Sequence, residues 1–186
     1  KTTISRVPFI VQVINEKKAF CVGSLIKPKF VVSAAHCFSG QQFSQKSLMV
    51  SGGSSNPNQI TYTQKVKKIM LPRLYNKLNK DRDIAVLALE NALTGMVIRP
   101  ARLCDRLWTD TDQFQLSGWG QANVEEKSNV LQSAYVNVIP KQECVDLYRK
   151  IGVDITSAMI CVHMPGQTAA CQDDTGGPGT IGGELC

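Results

Sequence analysis

Four short segments carry the residue types that do chemistry. Ser33-Ala34-Ala35-His36-Cys37 sets an imidazole beside a cysteine at the end of an apolar run. Asp83 heads the apolar run Ile84 to Leu89. Cys171-Gln172-Asp173-Asp174-Thr175-Gly176-Gly177-Pro178 places a hydroxyl before two glycines, the composition of a tight turn with exposed backbone N–H groups. Ser117-Gly118-Trp119-Gly120 reads as a turn with an aromatic anchor. An imidazole serves proton transfer near neutral pH, and a hydroxyl can serve nucleophilic attack. Taken singly, each segment has a plainer reading: a structural His, a strand-start Asp, an acidic surface loop, a packed Trp.

The surrounding elements read as β. Phe9 to Ile14, Phe30 to Ser33, Tyr62 to Ile69, Ile84 to Leu89 and Tyr135 to Ile139 are short apolar or alternating runs. Turn signals separate them at Ser39-Gly40, Ser51 to Pro57, Asn91, Ser117-Gly118 and Pro165-Gly166. Many short strands broken this way indicate an all-β sandwich or barrel. One helix is expected over 141–150, where Cys144, Leu147 and Tyr148 recur at helical spacing behind Pro140. Leu93 to Asp110 is weakly periodic and suits a connection between two halves.

Composition limits the class. The chain has 186 residues, 43% hydrophobic and 19% charged, with a net charge of +6. That excludes a disordered chain. The longest strongly apolar run, Ile84 to Leu89, is six residues, far short of the ~20 of a membrane-spanning helix. Seven cysteines indicate an oxidising compartment and a disulfide framework, with one cysteine left over. Cys21 and Cys37 bracket two strands and a turn; Cys144 and Cys161 bracket the helix and the segment after it. Each closure would contribute roughly 3 kcal/mol. The pairing of Cys104, Cys171 and Cys186 stays open. No metal is expected: no Cys-x-x-Cys exists, and neither His36 nor His163 has ligand spacing. No cofactor is expected either.

In this order the four segments resemble the trypsin/chymotrypsin-like serine proteases. The likeness extends to Cys21-Val22-Gly23-Ser24-Leu25-Ile26, the Cys144 helix and Met159-Ile160-Cys161. It implies two packed antiparallel six-stranded β-barrels, with the second expected to be incomplete. Residues 1–100 would form the N-terminal barrel, and residues 101–186 the linker and a C-terminal barrel. It also implies a site between the barrels, with His36 as general base, Asp83 orienting it, and Thr175 in the nucleophile position.

The sequence departs from that family's Gly-Asp-Ser-Gly-Gly-Pro loop. Thr175 replaces serine; its methyl stiffens χ1 and crowds a site built for Ser. A misplacement of ~1 Å can cost ~100-fold in rate. Asp173 replaces the glycine that, with the nucleophile position, supplies the oxyanion-hole donors. One lost donor costs about 2.7–4 kcal/mol, and a carboxylate there adds repulsion. Ala169 occupies the specificity-pocket position that is Asp in trypsin-like enzymes, so no charge there recognises a basic side chain. Asp174 is the aspartate that pairs with the family's mature amino terminus. The chain opens instead on Lys1-Thr2-Thr3-Ile4-Ser5, so that segment is expected to be missing or the switch absent. The family runs roughly 200–250 residues, and the chain stops eight residues after Pro178. An eighth cysteine is expected in any residues beyond 186.

Residues 143–148 and 153–161 resemble mite digestive proteases, and a degenerate triad on that background resembles the inactivated serine protease paralogues of the scabies mite. The resemblance implies a secreted, extracellular, non-catalytic protein that binds host proteins and interferes with complement. Two alternatives stay open. One is a weak protease using Thr175. The other is a binder of anionic polysaccharide or surfaces through Lys65, Lys67, Lys68, Arg73, Lys77, Lys80 and Arg82. Nucleic acid is not an expected partner, because few aromatics interleave with the basic residues.

Overall fold

The computed structural model describes residues 1–16, 18–40, 47–59, 61–120, 129–164 and 174–186. Six strands close a barrel: β1 (Ile10–Asn15), β2 (Lys18–Lys27), β3 (Phe30–Ser33), β4 (Leu48–Gly52), β5 (Tyr62–Met70) and β6 (Ala85–Leu89). Their order round the barrel is β1-β2-β3-β6-β5-β4. The second unit contains β7 (Gln113–Gly118), β8 (Gln132–Ile139), β9 (Cys161–His163), β10 (Gly179–Ile181) and β11 (Glu184–Leu185). These form a five-stranded sheet in the order β11-β10-β7-β8-β9. Among the described residues this sheet does not close. The helix α1 (Lys141–Arg149) follows β8.

Side-chain alternation explains the barrel. In β6, Ala85, Leu87 and Leu89 are buried, while Val86 and Ala88 are half-buried on the outer face. Ile10, Val13, Leu25, Val31, Leu48 and Val50 complete the same core. Removing such surface from water is worth roughly 1.5–3 kcal/mol per large aliphatic side chain. The second core is smaller: Phe114, Val136 and Val138, with Leu116, Val162, Met164 and Ile181 against it.

Several expected turns prove to be strand ends. Ser51 and Gly52 close β4, where Gly52 pairs with Val11 of β1. Ser117 and Gly118 close β7, paired with Ser133 and Gln132. The connecting segment around Leu93 to Asp110 has no regular strand or helix, yet it is tied down. Leu93, Ile98 and Ala101 enter the barrel core, and the Ala101 N–H donates to Leu25 O. Farther on, Leu103 bridges Leu185, and Cys104 is disulfide-bonded to Cys186.

Candidate active site

The strand register brings His36 to Asp83. Ser33 at the end of β3 pairs with Ala85 at the start of β6. His36 lies three residues past Ser33 on a short 3-10 turn, Ala35–Cys37, and Asp83 lies two residues before Ala85. The Cys21–Cys37 disulfide ties this turn back to β2. On the other side, the Ile84 N–H donates to Arg82 O across Asp83, a tight turn that presents the carboxylate.

Both Asp83 oxygens engage the histidine. Oδ1 accepts the His36 backbone N–H at 2.7 Å, and Oδ2 lies 2.5 Å from Nδ1. With Nδ1–H donating its hydrogen bond to the carboxylate, Nε2 is the nitrogen available as a base. The two side chains are 32% and 23% exposed, so the imidazole remains open to an incoming group.

Residues 174–178 are pressed onto the barrel from the second unit. The Val22 N–H of β2 donates to Thr175 O at 2.8 Å, and the Gly177 N–H donates to Asp174 O. Gly176 has φ +81, and a Cβ there would stand 2.4 Å from Ser33 Oγ and 2.5 Å from Val22 O. Only glycine fits both the backbone conformation and the space. Ser33, buried, holds this junction by donating its hydroxyl to Val22 O. Ser33 is a site residue that sequence reasoning did not single out; its signal is a polar side chain ending a buried strand.

Thr175 is half-buried. Among the described residues no hydrogen bond joins its hydroxyl to His36. Asp174 turns away from this pair: its Oδ1 accepts the Gly120 N–H at 2.6 Å. Trp119, between Gly118 and Gly120, is buried in the barrel core and donates its Nε1–H to Ser55 O. The expected packing anchor thus also carries a backbone that holds the aspartate. Asp173, Ala169 and Cys171 lie outside the described residues. Cys144 is bonded to Cys161, beyond α1.

The seven cations at positions 65–82 separate in space. Lys65, Lys67 and Lys68 are exposed on β5, whereas Arg73, Lys77, Lys80 and Arg82 lie on the loop between β5 and β6. Arg82 is ion-paired with Asp81.

A model of the trypsin family matches residues 1–185. The chain belongs to the trypsin family. This trypsin-family chain is 33% identical to a trypsin of Simulium vittatum over 99% of its length and 77% of the relative's. It is 34% identical to Trypsin 5G1 of Aedes aegypti, over 94% of this chain and 66% of that one. With seminase of Drosophila melanogaster it shares 30% identity over 89% of its own length and spans 60% of the relative's. Among solved structures it is similar to the scabies mite inactivated protease paralogue S-D1. That likeness has a TM-score of 0.89 at 27% identity, covering all of this chain and 81% of the other.

Proposed function

We propose that this trypsin-family chain is a secreted, catalytically inert homologue that acts by binding host proteins, complement components among them. The loop sequence Asp173-Asp174-Thr175 carries the reading. It changes the nucleophile and an oxyanion-hole position together, and each change alone removes orders of magnitude in rate. A retained base does not compensate, because the members of such a site act as a unit. The likeness to a protein named as an inactivated protease paralogue supports it. The complement component rests on the resemblance of residues 143–161 to mite proteins alone.

Two measurements test the reading. Added protein should inhibit complement-mediated lysis and retain complement proteins in a pulldown; the absence of both effects would reject the host-binding part. Asp173→Gly with Thr175→Ser should raise peptide hydrolysis about 100-fold or more over the parent if this loop is what blocks turnover. Parent hydrolysis that is already substantial would reject inertness.

The His36–Asp83 geometry favours one second reading, a weak protease using Thr175. Its proton balance is simple: His36 Nε2 takes the Thr175 hydroxyl proton as Oγ1 attacks a peptide carbonyl, then passes it to the leaving amine. Hydrolysis of a broad peptide library that is identical in His36→Ala rules this out.

A further inference from the structure

We propose that the outer face of the first barrel, across β5, β6, β3 and the end of β2, binds a linear sulfated polysaccharide. The surface lies at the opposite end of β3 from His36, and the proposal does not rest on whether that site is catalytic.

Lys65, Lys67 and Lys68 in one strand would by themselves suggest only a solvated face. Strand register adds cations from a distant part of the chain. Lys68 of β5 stands opposite Ala88 of β6, Ala88 opposite Phe30 of β3, and Phe30 opposite Lys27 of β2. This is one continuous row across four strands, about 14 Å long at the usual strand spacing. Both ends are exposed lysines, and Phe30, 37% exposed, lies between them. A second line runs alongside. Lys29 O accepts the Leu89 N–H, Lys29 Nζ donates to Glu90 O, and the Glu90 N–H donates to Lys65 O. A bulge between Val66 and Lys68 keeps Lys67 exposed as well.

The charge on this face is one-sided. Residues 18–33, 62–70 and 85–90 contain a single carboxylate, Glu90. Among the described residues, none of Lys27, Lys29, Lys65 and Lys68 is in an ion pair. These four ammonium groups therefore flank a small apolar floor made by Ala88 and Phe30.

The chemistry of that floor selects the partner. The four cations are all lysines, compact point charges on flexible stems, suited to a row of separate anions rather than to a planar carboxylate gripped bidentately. The row is a strand surface, without the aromatic anchors in pockets that dominate protein–protein affinity. Three disulfides among the described residues fit an oxidising compartment, whereas the strong anionic lipid field belongs to the cytoplasmic leaflet. A sulfated polysaccharide supplies repeated permanent anions outside the cell, and the apolar face of its sugar rings can rest on the floor between the cations.

Heparin is the probe. The protein should be retained on heparin at a physiological salt of about 0.15 M. Lys27→Ser with Lys68→Ser removes both ends of the row. It should lower the slope of log affinity against log salt by about 1.5, the loss expected for two counterion-releasing contacts. Lys29→Ser with Lys65→Ser should do the same, so the test survives misfolding of one variant. Lys77→Ser with Lys150→Ser removes the same charge elsewhere and should change the slope by less than half as much. No retention at physiological salt, or equal losses from all three variants, would overturn the proposal. So would equally tight binding to phosphatidylserine vesicles that the row variants abolish.

Discussion

The Asp174 carboxylate accepts the Gly120 N–H at 2.6 Å and lies so close over Gly118 that a Cβ there would stand 1.8 Å from its Oδ1. The missing side chain of Gly118 is the space the carboxylate occupies. This contact fixes one end of the turn that carries Thr175, while Val22 N–H and Ser33 fix the other against the barrel. The orientation of the candidate site thus depends on a glycine in β7 as much as on the loop itself.

Gly118→Ala should therefore displace Asp174. Overpacking of this kind costs about 1–3 kcal/mol. For a chain of this size each kcal/mol lowers Tm by about 2–4 °C. Adding Asp174→Ala removes the clashing group, so the double variant should lose less than the sum of the two single losses. Strict additivity in thermal unfolding would show that the contact is not what makes Gly118 necessary.

A pH effect is expected at Asp112. Side-chain hydrogen bonds from Arg106, and then the Thr109 N–H, hold this carboxyl well below the usual carboxylate range. A group with a depressed folded pKa stabilises the fold above its unfolded value, about 3.9, and that stability is lost as pH falls through the folded value. The stability gap between the parent and Asp112→Asn should stay level from neutral pH down to about pH 5 and close only below about pH 4. Carboxyl-detected NMR should place the Asp112 midpoint below that of an ordinary aspartate, and Arg106→Gln should raise it. An unmoved midpoint in Arg106→Gln counts against the assignment.

A latch joins the two units through the loop that leads to Asp83. Asp81, on the loop before Asp83, accepts the Thr156 hydroxyl from beyond α1 and the guanidinium of Arg82. Lys141 Nζ holds the Thr156 turn through the carbonyls of Thr156 and Met159. A hydrogen bond to a charged group is worth about 1.5–3 kcal/mol, so Thr156→Val should lose an amount in that range in urea unfolding. A double-mutant cycle with Asp81→Ala should give a coupling of at least about 0.5 kcal/mol. Independent effects would mean the latch carries no energy.

The disulfides should rank by the chain they close. Cys21 and Cys37 are 16 residues apart, and Cys104 and Cys186 are 82 apart. Loop-closure entropy assigns them about 3 and about 4.5 kcal/mol. Replacing Cys104 and Cys186 with Ser should therefore lower the urea midpoint further than replacing Cys21 and Cys37. The reverse order would place the stabilisation in local geometry instead of chain entropy.

Legibility in the sequence followed the local pattern. Phe30–Ser33 is apolar and bounded by turns, and it is β3. Cys144, Leu147 and Tyr148 at helical spacing mark α1, though only Cys144 is buried. By contrast, the sequence gives β2 no bounds beyond the bracketing Cys21 and Cys37, because Gly23 and Ser24 interrupt its apolar pattern. Gly23 is small for a tertiary reason: a Cβ on it would stand 2.7 Å from Val31 Cγ1. Gly52 ends β4 where a Cβ would stand 3.0 Å from Val11 Cγ1, a contact tight enough that Val11 would have to give way. A glycine demanded by a neighbouring strand is indistinguishable, within its own segment, from one demanded by a turn.

What the sequence determined by itself is chemistry and order: an imidazole, then a carboxylate, then a hydroxyl before two glycines, with Asp173 and Thr175 in that last loop. These are properties of side chains and of neighbours within a few residues. Only the tertiary structure decided that His36 and Asp83 share two hydrogen bonds across 47 residues, that Asp174 turns to Gly120, and that Lys27 and Lys29 join Lys65 and Lys68 on one face. Each of these depends on which strand residue faces which. A closed barrel sets the register of its strands by burying one face of each and by placing bulges, and a shift of a single residue would turn strand side chains such as Lys27, Lys65 and Lys68 to the other face.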